Sequence, residues 1–125
     1  MATGVCTKPY SGSLKALWTN PNPTADFSAR TITLASAEYD FLLVWTRNGI
    51  LSGAPKGQNF YCRNFSVPSA DGYASNMEGR DYTYVDATHY SVGNGYAKRS
   101  NSGSGYTTMN GVCVPLIAYG LQIEG

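Results

Sequence analysis

Charge is scarce in this chain of 125 residues: Asp, Glu, Lys and Arg supply 14% of it and nearly cancel, leaving a formal net charge of +1. Such a balance carries no electrostatic footprint for nucleic acid or for an anionic membrane, so neutral partners are expected. Histidine is almost missing, with His89 alone. Cysteine amounts to Cys6, Cys62 and Cys113, widely spaced and without a CxxC pair, which suggests neither a zinc site nor a disulfide framework. Free cysteine behaves as a small buried hydrophobe, and Cys62 and Cys113 sit inside apolar runs that suit this role. No window approaches the ~18 consecutive apolar residues of a membrane span. The N-terminal MATGVCTKPYSG also lacks the apolar core of a signal peptide, so synthesis in the cytoplasm is expected.

What the chain does hold is ten Tyr, fourteen Gly and nine Asn, against few Leu, Glu and Lys. This composition disfavours helices and favours strands joined by tight turns. A chain of this length forms one domain and can bury roughly two-thirds of its unfolded surface. The expectation is an N-terminal arm over residues 1–12, then a single all-β domain over 13–125. Its strands, about eight or nine and short, suit an antiparallel β-sandwich or jelly-roll-like fold with little helix.

Several segments shape that reading. Leu14, Ala16 and Trp18 alternate with Ser13, Lys15 and Leu17, which predicts a strand that buries Trp18. In TNPNPT each Pro fixes its own φ and pushes the preceding Asn out of the α region, so Asn20 to Thr24 is expected to be a stiff surface turn. Phe27 to Leu34 reads as a second strand, with Ile32 and Leu34 on one face. Phe41 to Trp45 is apolar on both faces, as the centre of a sheet would be. Arg47, Asn48 and Gly49 predict a hairpin turn, and Gly93 to Gly95 and Asn110-Gly111 are read the same way. Phe60 to Val67 is a strand with Tyr61, Arg63 and Phe65 opposite Phe60 and Cys62. From Arg80 to Tyr90 one strand is expected, with Tyr82, Tyr84, Asp86, Thr88 and Tyr90 on one side and Asp81, Thr83, Val85, Ala87 and His89 on the other. In the closing run Val112 to Gln122, Pro115 cannot donate to a ladder and marks a bulge or an edge.

Recognisable catalytic chemistry is absent. Asp86 lies three residues before His89 on an expected strand, which would point the two side chains to opposite faces, and no GxSxG elbow exists. Any pair of the eight carboxylates could be drawn as a glycosidase pair, so no pair is informative. SGSG and GNG lack the context of a phosphate-binding loop, and DGYASNMEGRD lacks the ligand spacing of a calcium loop. No cofactor and no metal are expected. The feature with binding character is the row Tyr82, Tyr84 and Tyr90, joined by Tyr96 and by Tyr73 and Tyr106 from neighbouring turns, with Arg80 and Asp86 as polar partners. Flat amphipathic rings beside such donors and acceptors suit a sugar; the competing reading is packing in the core or between subunits.

The wording LWTNPNPTADFSARTITL, followed by YDFLLV, resembles a small β-sandwich module of bacteriophage and prophage structural proteins, at tail-fibre ends or in baseplate chains. The matching parts are Leu17 to Pro21, Pro23 to Phe27, Thr31 to Leu34 and Tyr39 to Asp40. The resemblance implies a non-enzymatic virion component of receptor-binding type, preferably a homotrimer, that meets a host-surface carbohydrate or another virion protein without membrane insertion. The alternatives are a carbohydrate-binding domain of a cellular protein or a small glycan hydrolase. Low charge and strands that are apolar on both faces point independently to a homo-oligomer.

Overall fold

The computed structural model describes residues 11–66, 76–99 and 106–124. Most of the expected arm, Cys6, Tyr73 and residues 67–75 and 100–105, where loops are expected from sequence, lie outside the described residues. Within them are β1 (Ser11–Thr19), β2 (Arg30–Thr33), β3 (Phe41–Thr46), β4 (Leu51–Pro55) and β5 (Phe60–Ser66), followed by β6 (Asn76–Asp86), β7 (His89–Val92), β8 (Tyr96–Arg99), β9 (Thr107–Thr108) and β10 (Pro115–Glu124). No helix occurs among the described residues. The all-β expectation holds, and β1 begins two residues inside the expected arm.

Two antiparallel sheets form a β-sandwich. The first runs β1-β10-β3-β4. In the second, β6 is central, with β5 on one side and β7 and β8 end to end on the other; β2 then pairs with β7 and β9 with β8. Between the sheets lies one apolar core to which the first contributes Leu42, Val44 and Ala118, and the second Ile32, Phe60, Cys62, Tyr82, Tyr90 and Val92. At roughly 25 cal/mol per Å² of apolar surface, burial of this cluster is the main force holding the sheets together.

β3 is central in its sheet, as its two apolar faces predict, and the β3–β4 hairpin turns through Gly49 at φ 83°. Pro115 marks an irregularity in register before Ile117, as the missing N–H requires. Other expectations need correction. In β1 a bulge between Ala16 and Trp18 turns Leu17 into the core, while Leu14 is exposed and Trp18 is half-buried with its ring edge-on to Phe27 at 5.9 Å. Asn20 is not a surface residue: it is buried, its Nδ2 donates to Pro115 O (2.8 Å) and its Oδ1 accepts from Asn22 N (2.8 Å), so the Pro turn is tied to β10.

The Arg80–Tyr90 segment is a hairpin, β6 then β7, not one strand. Asp86 makes the reversal, its Oδ1 accepting from Thr88 N (2.9 Å) and Thr88 Oγ1 (3.2 Å), the local bonding that lets Asp compete with a ladder. The side chains of Asp86 and His89 therefore meet at 2.8 Å instead of facing apart. Conversely, Gly93 to Gly95 is not a hairpin turn. β7 and β8 both pair antiparallel with β6 in nearly one continuous register, so these residues form a break within a single strand path. Nor is Asn110-Gly111 a hairpin, because β9 pairs with β8 while β10 pairs with β1 and β3, so the chain crosses there between the sheets.

Candidate functional site: an aromatic platform on the second sheet

Alternation along β5 and β6 sends one set of side chains to the core and the other to solvent. From β5 the outward set is Tyr61, Arg63 and Phe65, of which Tyr61 and Phe65 are 57% and 72% exposed. Asp81 stands opposite Tyr61 on β6, and Gly79 stands opposite both Arg63 and Tyr96 of β8. A Cβ at Gly79 would lie 2.7 Å from the Tyr96 hydroxyl and 2.8 Å from its ring, so the missing side chain is what lets Tyr96 lie across β6 towards Arg63.

The cluster is bonded in series. Arg63 Nε donates to the Tyr96 hydroxyl at 3.2 Å, and that hydroxyl donates to Asp81 Oδ1 at 2.8 Å. The Arg63 guanidinium lies 4.3 Å from the Tyr61 ring centroid and 5.9 Å from that of Tyr96. Tyr106 meets Tyr96 edge-to-face at 5.2 Å, with Lys98 Nζ 5.7 Å from the Tyr106 centroid. Burial raises the Tyr96 phenol above its ordinary pKa, with Arg63 opposing and Asp81 reinforcing the shift, while the bond to Tyr96 raises Arg63. At neutral pH the hydroxyl thus stays protonated between a cation and a carboxylate.

Between Arg63, Asp81, Tyr96 and Tyr106 lies an open concavity of about 220 Å³. This is smaller than the roughly 300–1,000 Å³ of enclosed ligand pockets, and suits a flat group laid on the surface. Aromatic ring faces in general can accept the C–H face of a pyranose, and a guanidinium and a carboxylate can meet hydroxyls.

Of the eight residues expected from sequence, Tyr96 and Tyr106 lie on this platform, and Tyr73 falls outside the described residues. Tyr82 and Tyr90 are buried, stacked on and tilted against Phe60 with centroids at 4.7 and 6.1 Å, so for them the core-packing alternative holds. Tyr84 is half-buried against Tyr90. Asp86 is exposed at the far end of β6, where it organises its turn, and the bonds from His89 and Thr88 lower its pKa. Arg63, Asp81 and Tyr61 were absent from the expected site. For Arg63 and Tyr61 the signal was the alternation in β5, where an apolar inward set leaves Tyr, Arg and Phe facing out.

Arg80 is a structural cation, not a ligand contact. It is fully buried and uses its whole complement of five donors on backbone carbonyls: Nε to Cys113 (3.1 Å), Nη1 to Phe27 and Gly93 (2.7 Å each), Nη2 to Asn110 (3.2 Å) and Val112 (2.9 Å). The break between β7 and β8 is what frees the Gly93 carbonyl for this bond. A second arginine, Arg47, braces the exposed rim in the same way, donating to Pro23, Ala25 and Gly111 carbonyls. It borders a cavity of about 180 Å³ shared with Asn48, Asn64, Glu78 and Cys113. Cys113 takes φ 48°, and its buried thiol is pushed up by the neighbouring Cys62 thiol and by burial. No group of three or more His, Cys, Asp or Glu side chains able to hold a metal ion occurs among the described residues. Glu78 and Asp81 fall on opposite faces of β6, three positions apart on a strand.

Comparison of the chain with protein-family models, with curated proteins and with solved structures finds no match in any of the three. Nor is there a helix long and apolar enough to cross a membrane among the described residues.

Proposed function

We propose that this protein is a non-enzymatic recognition module that binds a surface glycan through the outer face of its second sheet. The observation that carries the reading is the Tyr96 ring laid across Gly79 and fixed between Arg63 and Asp81, with Tyr61 and Tyr106 exposed beside it. Rigid rings already held in place lose little conformational freedom on binding, and bonded polar groups at their edges give orientation. The resemblance of Leu17 to Asp40 to phage structural modules supports reading it as a virion protein, a tail-fibre or baseplate component of receptor-binding type that meets a bacterial surface.

A glycan array probed with the purified chain tests the reading. Binding to a restricted set of glycans is expected, weakened about tenfold or more, equivalent to about 1.4 kcal/mol, in Arg63→Ala and Tyr106→Ala at unchanged thermal stability. Absence of binding to every glycan overturns the ligand class, and turnover of any bound glycan overturns the non-enzymatic role.

A further inference from the structure

The outer face of the first sheet presents a different problem. Register places three apolar rows across its four strands: Leu14, Leu121, Phe41 and Pro55; Ala16, Tyr119, Leu43 and Gly53; Thr19, Ile117, Trp45 and Leu51. No charged side chain stands in any row. Leu14, Leu51, Ile123 and Trp45 are 56%, 54%, 46% and 41% exposed.

We propose that this face is buried against the same face of a second copy of the chain, giving a closed two-fold dimer. Four strands at ~4.8 Å spacing and about six residues of ~3.3 Å rise make a flat footprint of roughly 400 Å². Side-chain relief raises this towards the ~800 Å² per partner of an ordinary stable interface. A soluble monomer rarely leaves so large an apolar surface uncovered. A charged partner finds no opposite charge here to pair with, since the polar side-chain groups of the rows are the hydroxyls of Thr19 and Tyr119 and the indole N–H of Trp45. A second copy matches by construction: its face is equally uncharged, and two sheets of identical twist pack in an aligned sandwich about 10 Å apart. Contact of a face with itself also closes after two subunits and does not propagate into a filament. The platform of β5, β6 and β8 lies on the opposite side of the sandwich and stays accessible.

Sedimentation velocity from ~1 to ~100 µM, a range spanning the affinities of ordinary interfaces, tests this on the full chain. The wild type is expected to sediment at twice the monomer mass, and Leu43→Glu at the monomer mass with an unchanged far-UV spectrum. Should Leu43→Glu fail to fold, Leu51→Lys on the neighbouring strand β4 decides, because that side chain is already half in solvent. Thr33→Lys, on the second sheet, is expected to leave the dimer intact. A wild-type monomer throughout, a trimer, or a dimer that survives both substitutions on the first sheet would overturn the assignment.

Discussion

Replacing Arg80 tests the interior most directly, because its five donors meet five carbonyls from three separate segments of chain. Arg80→Lys retains a charge but supplies three donors, so at least two carbonyls lose their partner. One of these can be the Asn110 carbonyl, which keeps its bond from Phe27 N, so at least one is left unpaired; at roughly 1–3 kcal/mol for each, the expected loss is roughly 1–3 kcal/mol or more. Arg80→Met removes every donor; the Asn110 carbonyl keeps its bond from Phe27 N, and four carbonyls are stranded. The corresponding loss of roughly 4–12 kcal/mol spans the whole stability of ~5–15 kcal/mol usual for a domain. Apolar replacement of a buried ion pair is often tolerated because both partners go, whereas here the carbonyls remain. Urea unfolding followed by Trp fluorescence measures both. With a slope of about 1–3 kcal/mol/M, Arg80→Lys should lower the midpoint by about 0.5–1.5 M or more. Arg80→Met should show no cooperative transition at all. An Arg80→Met protein within about 0.5 kcal/mol of wild type would refute the reasoning, since surface changes alone stay within that margin.

Gly79→Ala should move the Tyr96 ring, a flexible side chain, more than it disturbs the backbone, so glycan affinity should fall while the unfolding midpoint changes little; equal binding by Gly79→Ala would argue against a role for Tyr96 in the platform. Asp86 has a folded pKa below its unfolded value, so its contribution is complete above the ordinary carboxylate pKa of about 4 and is lost as pH falls through the folded value. An acid titration of stability should therefore be flatter below that pH in Asp86→Asn than in wild type, and coincident curves would sink the assignment.

Composition and alternation made much of the fold legible. β3 reads as central because both its faces are apolar, β5 shows its outward Tyr61, Arg63 and Phe65, and Asn48-Gly49 marks a real hairpin. What misled was local likeness. Gly93 to Gly95 has the wording of a turn but serves as a gap that receives a guanidinium, and Arg80 to Tyr90 alternates as one strand although Asp86 folds it back. The tyrosine row was real as a pattern, yet alternation alone does not say which of two faces is the core. Tyr82 and Tyr90 went inward because Phe60 stacks there, and Arg80, on the same face, went with them.

Taken alone, the order of residues determined that this chain forms short strands, turns at Gly and Asn, buries one face of each strand and carries almost no net charge. Such properties depend on neighbours within a few positions, where propensity and period act. Tertiary structure decided which glycine is a turn and which a gap, that an arginine could be buried without a carboxylate, and that Arg63, Asp81, Tyr96 and Tyr106 converge on one surface. The reason is physical: a buried donor needs acceptors, and a binding surface needs side chains, from strands whose adjacency is set only when the sheets pair.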